Sequence, residues 1–284
     1  MKKKIYCSHR GFNSIAPENT LPAFGAAVAL GAEEIELDLW PTSDGKIVVC
    51  HDPTVDRTTN STGLIHEMTA QEVEQCDAGI KFSKEFTGLK IPYFEDILKQ
   101  FANRVIMNLH IKSLNRPFPE SQKMQERMKF LGKVYTEGIL LPGLIPEPKA
   151  EILPEIDNAP YTPYDEIVFA DILQLIDRYQ CRDSVYITGC RDVLETSRKM
   201  APDLKRCCLE GDMNFSIVEH AVEYQCSRVQ FCKLFLTQNM IDQAHEHGMI
   251  CNLFWSDNAG EAELFFSKGI DVILTNRFQL TKRG

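Results

Sequence analysis

Short apolar runs with strand character recur along the whole chain and alternate with helical patterns, and this alternation limits the fold more than any other feature. The runs are "KIYCS", "EIELDLW", "KIVVCH", "RVIMNLHIK", "SVYITG", "LKRCCLE", "RVQF", "MICNLFW" and "DVILT". Between them lie "TLPAFGAAVALG", "YDEIVFADILQLIDRYQ", "TQNMIDQAHEHG" and "AGEAELFFSKG", which carry apolar residues at helical spacing. In the first of these Leu21, Phe24 and Val28 share a face, Thr20 is placed to cap, Pro22 falls in the first turn and Gly31 closes the helix. Strands alternating with helices imply a parallel sheet, and about eight such units in roughly 250 residues imply a closed (β/α)8 TIM barrel. No G-x-G-x-x-G turn follows the first strand, which weakens an open doubly wound sheet as the alternative. We therefore expect one barrel domain spanning residues 1–284. Two stretches should interrupt it: a small insertion at 53–92, after the strand that ends at His51, and a long one at 113–163, after the third barrel strand. The second contains eight of the fourteen prolines and leaves a strand's C-terminal end, so it is expected over the active site.

The stretch "EEIELDLW" defines the polar side of the problem. Period-two reading sets Glu34, Glu36 and Asp38 on one face and Ile35, Leu37 and Leu39 on the other. In a barrel the outward face packs on helices and must be apolar, so the carboxylates point inward, with Glu36 and Asp38 at the C-terminal rim where barrel active sites lie. Adjacent buried carboxylates are costly without a cation between them, and a divalent metal answers that cost.

The remaining composition narrows the partners. A net charge of -9 leaves no broad footprint for nucleic acid or anionic membrane. The opening "MKKKIYCSHRG" is not followed by the apolar run of an export signal, and no segment approaches a membrane span. Stable membrane insertion is thus not expected, and a cytoplasmic location is. Ten cysteines without any C-x-x-C read as reduced, mostly buried thiols; Cys7, Cys50, Cys207, Cys208, Cys232 and Cys251 lie in or beside the strands. The sequence does not indicate an oligomeric state.

Chemistry-bearing residues gather at expected strand ends: His9 and Arg10 in "SHRG", Glu36 and Asp38 in "ELD", His51 in "CHD", and His110 with Lys112 in "LHIK". Two imidazoles, a carboxylate pair and two cations at one rim suit phosphodiester chemistry. One imidazole takes a proton from the attacking hydroxyl and the other protonates the leaving oxygen, while cations balance phosphoryl charge. A carboxylate-pair glycosidase would leave the histidines idle. His245 and His247 of "HEHG" stand i, i+2 on a helix and splay apart, so they read as a solvated helix end.

These motifs, together with "PENT" (Pro17 to Thr20), "DGKIVVCHDPTVDRTTNSTG" and "IPYFEDIL", resemble the glycerophosphodiester phosphodiesterase family over residues 5–112. From about residue 165 the likeness is looser, with "FWSD" resembling W-T-V-N and "GIDVILTNR" resembling G-V-D-x-I-x-T-D. The resemblance implies a metal-dependent TIM-barrel hydrolase of lipid and glycerol metabolism that yields glycerol 3-phosphate and an alcohol. It implies His9 and His51 as the general acid/base pair, Glu36 and Asp38 as metal ligands, and Arg10 and Lys112 as phosphate-binding cations. Glu18 and Asn19 match its E-N-T and are expected to support the rim and the helix start.

Three positions depart from the family pattern. His110 replaces the usual glutamate of E-[ILV]-K, the third metal ligand. If it ligates, the site loses one negative charge and an oxygen donor, which moves preference from the Mg²⁺ or Ca²⁺ implied by the family toward Mn²⁺ or Zn²⁺. Phe254 stands for tryptophan and should keep an aromatic wall. Asn276 stands for aspartate, and that exchange is expected to alter a structural hydrogen bond; neither this change nor the one at Phe254 is expected to touch the histidine pair. Two alternatives stay open: a catalytically silent phosphodiester-binding protein, motivated by His110 and the proline-rich insertion, and an enzyme resembling sphingomyelinase D, which uses a similar two-histidine barrel to form cyclic phosphates.

Overall fold

In the computed structural model, residues 3–114, 162–212 and 215–279 are described. Almost all of the proline-rich stretch expected over the site therefore lies outside the described residues. Among the described residues nine strands follow in chain order: β1 (Ile5–His9), β2 (Glu34–Pro41), β3 (Ile47–Val49), β4 (Ile106–Ile111), β5 (Val185–Gly189), β6 (Arg206–Cys208), β7 (Arg228–Cys232), β8 (Ile250–Phe254) and β9 (Val272–Thr275). Each falls on one of the nine apolar runs, overstepping it by no more than about a residue. Eight of them pair in parallel in the order β1-β2-β4-β5-β6-β7-β8-β9, and β9 pairs back onto β1, which closes a (β/α)8 TIM barrel. The ninth, β3, stays outside the ring and pairs antiparallel with the end of β2, Leu39 opposite Val49.

The described helices are α1 (Leu21–Ala29), α2 (Ala70–Gln75), α3 (Phe94–Phe101), α4 (Glu166–Arg178), α5 (Arg191–Met200), α6 (Ile217–Glu223), α7 (Gln238–Glu246) and α8 (Ala259–Ser267). The four helical patterns read from sequence are α1, α4, α7 and α8. In α4 the Asp165 carboxylate caps by accepting from the Ile167 and Val168 N–H groups, and Phe169, Ile172, Leu173 and Ile176 form the buried stripe. In α1, Phe24 is buried while Leu21 and Val28 are only partly so. The cap expected there is not made: the Thr20 hydroxyl donates to the Pro17 carbonyl at 2.5 Å. None of the described helices is long and apolar enough to cross a membrane.

Alternation along β2 does what the barrel requires. Ile35, Leu37 and Leu39 are fully buried beneath the helices, and Glu34, Glu36 and Asp38 are equally buried on the inner face. Two large apolar clusters lie between the ring and its helices. A smaller, separate cluster gathers Trp40, Val48, Cys50, Val55, Ile65, Val73, Cys76, Ala78 and Ile91, so the excursion at 53–92 has its own core. All ten cysteines are buried thiols.

Deep in the barrel, Glu34 accepts from the Tyr186 hydroxyl and lies 3.4 Å from the Arg228 guanidinium, which stacks 4.2 Å over the Tyr186 ring. Asn252 joins them, donating to the Tyr186 oxygen at 3.0 Å. Burial raises the Glu34 carboxyl above its usual range while the Arg228 charge works against the rise. Glu34 thus serves an internal ion pair below the rim.

Candidate active site

Strand register assembles the rim. His9 aligns with Glu36 across β1 and β2, and Asp38 aligns with His110 across β2 and β4. The turn after β1 has Arg10 at φ +56° and Gly11 at φ +79°, and it folds tightly onto α1. A Cβ on Gly11 would lie 2.7 Å from the Ala23 carbonyl carbon, so glycine is required for that approach. The turn also aims the Arg10 N–H at Glu36, 3.1 Å away.

Glu36, Asp38 and His110 present ligand atoms all within 4.8 Å of one another. Asp38 accepts from Asn19 Nδ2 at 2.8 Å through Oδ2. Its other oxygen lies 2.8 Å from Lys112 Nζ and 3.1 Å from His110 Nδ1, yet neither is aligned to bond it, and it stays buried without a hydrogen-bond partner. Lys112 instead donates to His110 Nδ1 at 3.1 Å. Burial, reinforced by the Lys112 charge, drives the His110 imidazole down to about 3, so it is held neutral, as a ligand must be. Burial and the neighbouring Asp38 charge push Glu36 well above the usual carboxylate range. For Asp38 burial acts upward too, but Lys112 and the surrounding imidazoles outweigh it and hold the group well below that range. Two carboxylates, one of them with an unsatisfied buried oxygen, and a neutral imidazole form a donor set that fits a divalent cation.

The two proposed acid/base histidines are each held through Nδ1. His51 follows β3, and the Cys50 N–H donates to the Asp38 carbonyl at 3.0 Å, which brings this outlying strand end to the rim. The His51 Nδ1–H donates to Asp52 Oδ1 at 2.6 Å, and Asp52 is gripped in turn by Arg57. His9 is buried, with its Nδ1 2.6 Å from Asn276 Oδ1. The Asn276 amide is oriented by Asp257, which accepts its side-chain N–H at 3.0 Å and its backbone N–H at 2.6 Å. Asn276 Oδ1 therefore faces His9, and His9 Nδ1 carries the proton. Its Nε2 is left 3.8 Å from Glu36. Burial, helped by the Arg10 charge, lowers His9 to about 3. The expectation that Asn276 does not touch the histidine pair is thus corrected, because it is the residue that holds His9. Its partner Asp257 ends "FWSD" just as Asn276 ends "LTN", so acid and amide stand in the reverse order to that of the W-T-V-N and G-V-D-x-I-x-T-D patterns these two stretches resemble.

Glu18 and Asn19 support the rim as expected. Glu18 accepts from Arg10 and Arg57, and Asn19 bonds Asp38. Phe254 does supply an aromatic wall, but it stands edge-on to His9 with ring centres 5.1 Å apart, so the expectation that this exchange leaves the histidine pair untouched is corrected as well. His245 is not the solvated end expected of it: it is half-buried and 2.9 Å from Asp271 Oδ2, an oxygen that also accepts the Cys251 N–H. This group lies at the entry ends of β8 and β9, away from the rim, and serves as a tie between α7 and the barrel. His247 is exposed. The sequence reading missed Asp52, Arg57, Asp257 and Lys233. The first two were visible inside "HDPTVDR", where carboxylate and guanidinium directly follow a candidate base. Lys233 sits 4.5 Å over the Trp255 ring and 3.3 Å from Glu261, a pairing that leaves no local signal in the sequence.

The fit to known proteins agrees with this geometry. Residues 9–140 match the model of the Glycerophosphoryl diester phosphodiesterase family. The resemblance carried by "HRG", "PENT" and "CHD" is thereby borne out. A glycerophosphodiester phosphodiesterase of Caldanaerobacter subterraneus subsp. tengcongensis is 44% identical over 112 residues, 39% of this chain and 46% of the relative. One from Bacillus subtilis is 33% identical over 137 residues, 44% and 47% of the two chains. The chain spans about half the length of the curated relatives it matches. Among solved structures, an Oleispira antarctica phosphodiesterase in complex with the product sn-glycerol-3-phosphate superposes with a TM-score of 0.74 at 17% identity, covering 99% of this chain and 96% of that one. A glycerophosphodiester phosphodiesterase from Agrobacterium tumefaciens gives 0.70 at 21% identity, with 98% coverage of both. At such identities the likeness speaks for the fold.

Proposed function

We propose that this protein hydrolyses glycerophosphodiesters to glycerol 3-phosphate and an alcohol at the barrel rim, with a divalent cation held by Glu36, Asp38 and His110. The observation that carries the reading is the convergence of a metal-capable triad, two Nδ1-anchored histidines and two cations on one rim, largely within the segment that matches the family. A bound divalent cation supplies charge neutralisation for the phosphoryl oxygens and polarises the reacting group. Arg10 and Lys112 orient the phosphodiester beside it. His9 and His51, both with Nδ1 engaged, offer Nε2 to the substrate: one removes a proton from the attacking water and the other delivers a proton to the leaving alcohol oxygen. Each ring is oriented by its Nδ1 partner, His9 by Asn276 and His51 by Asp52, so that its Nε2 is the atom left for proton transfer.

The supporting product complex belongs to the Oleispira protein, and glycerol 3-phosphate is our choice of product for this chain by analogy. The buried thiols accord with a reducing, cytoplasmic setting. The test is turnover of a panel of glycerophosphodiesters by the purified protein, with its metal content measured alongside and the phosphorus products resolved by ³¹P NMR. Release of glycerol 3-phosphate supports the reading, and a cyclic phosphate would select the sphingomyelinase D-like alternative. Binding without turnover would select the silent-protein reading, which is favoured by one observation: Lys112 occupies the lone pair of His110.

A further inference from the structure

Arg57 belongs to the excursion at 53–92, outside the barrel and outside the set of residues assigned chemistry above. Its turn is fixed from within, with Val55 N–H donating to Gly63 and the Thr59 hydroxyl donating to Val55. The guanidinium makes two forks. Nε and Nη2 reach the Asp52 oxygens at 2.6 and 3.2 Å, and Nη1 and Nη2 reach the Glu18 oxygens at 3.0 and 2.7 Å. Each carboxylate has a second client at the rim. Asp52 accepts the His51 Nδ1–H at 2.6 Å, and Glu18 accepts from Arg10 Nη1 at 3.0 Å.

We propose that Arg57 is a positioning residue that sets two parts of the machinery at once, orienting His51 through Asp52 and releasing Arg10 for phosphate through Glu18. This rests on the phosphodiesterase reading above. The second half of the argument is a charge count. Arg10 and Arg57 balance Glu18 and Asp52. Without Arg57, the whole charge of Glu18 falls on Arg10, which then competes less well for a substrate phosphate. The first half is geometric. A carboxylate gripped from both sides has one orientation, and it fixes the tautomer of the imidazole it accepts from. Only a guanidinium offers two forks; a lysine ammonium restores the charge but cannot grip both carboxylates in parallel.

The two halves separate in kinetics. Arg57→Gln should raise KM about 10-fold and lower kcat about 10-fold or more, the scale of a misplaced catalytic group. Arg57→Lys should return KM to within about threefold of wild type while kcat stays depressed, because charge is restored without geometry. Glu18→Gln combined with Arg57→Gln should likewise recover KM alone. A direct readout needs no turnover: in ¹⁵N-histidine spectra the His51 Nδ1–H should give a downfield, slowly exchanging proton in the wild type that is lost in Arg57→Lys and Arg57→Gln. If the wild type turns over no glycerophosphodiester, the functional reading fails and the spectra still decide the orientation of His51. A folded Arg57→Gln protein with both kinetic constants within about twofold of wild type overturns the proposal, as does an unchanged His51 resonance in either variant.

Discussion

The pair Asp257 and Asn276 offers a decisive perturbation because the acid and the amide stand in the reverse order to that of the family patterns their stretches resemble. In Asn276→Asp the carboxylate created at position 276 would face that of Asp257 across a contact that is now a 3.0 Å hydrogen bond. Two unit charges at that distance repel by about 5 kcal/mol at an effective dielectric of about 20. The pair escapes part of this by binding a proton. Raising one carboxyl from about 4 to 7 costs about 4 kcal/mol, which sets a ceiling at pH 7. Both residues are partly solvated, so about 2–4 kcal/mol of destabilisation is expected, shrinking as pH falls toward 5 and the shared proton is taken up. Asp257→Asn removes a charge-assisted acceptor from the amides of residue 276 and should cost about 1–3 kcal/mol. It also frees the Asn276 side chain to turn its amide toward His9. Combining Asp257→Asn with Asn276→Asp rebuilds the contact with roles reversed: the new amide at position 257 donates to the new carboxylate at position 276, whose second oxygen takes the His9 Nδ1–H. Urea unfolding of the wild type, both single variants and the double, with kcat for each, completes the cycle. A coupling energy of at least about 2 kcal/mol in favour of the double variant is expected. Additive costs within about 0.5 kcal/mol would refute the reasoning, as would an Asn276→Asp variant as stable as wild type at pH 7.

Either His9→Ala or His51→Ala should lower turnover at least ~10²-fold with unfolding midpoints little changed; near-normal turnover removes that residue from the mechanism. His110→Glu should shift the ion bound at Glu36 and Asp38 toward Mg²⁺ or Ca²⁺, as read by calorimetric titration, and an identical ion preference in the variant would show that His110 does not ligate. Acid should weaken the chelator-treated protein in a particular window. His9 and His110 stay neutral in the fold down to about 3, but they take up protons near 6.5 when unfolded. The unfolded state therefore binds more protons between these values, and stability falls as pH drops from about 6.5, by up to about 1.4 kcal/mol per pH unit per ring. In His110→Gln the unfolding free energy should fall less steeply over that window, and parallel curves for wild type and variant would contradict the assignment.

Much of the barrel was legible because its physics repeats locally. Ile35, Leu37 and Leu39 had to face helices, and that alone turned Glu34, Glu36 and Asp38 inward. The strand ending at His51 was legible as a strand, but its place outside the ring was not. An antiparallel partner at the end of β2 and a ninth barrel member share the same alternation. The site's chemical residues were legible because they cluster at strand ends, whereas the groups that hold them were harder to see. Asn276 meets His9 and Arg228 meets Glu34 across separations of 267 and 194 residues, and only closure of the barrel brings them together. Thr20 looked like a cap because of its position, yet its hydroxyl found the nearer Pro17 carbonyl.

The small core formed around Val48, Val55 and Ile65 gives the site two mechanical histories. His9, Glu36, Asp38 and His110 sit on strands of a closed ring, which is opened only by global unfolding. His51, Asp52 and Arg57 ride on a satellite that has its own cluster and is tied to the ring by three β3 pairings, the Cys50 N–H bond to Asp38, the Trp40 Nε1–H bond to the His51 carbonyl and the Arg57 fork to Glu18. Segments with few long-range contacts open at lower free energy than the body they lean on. Heat or mild denaturant should therefore silence this protein reversibly while the ring is still intact, much as a fuse parts before the wiring it protects.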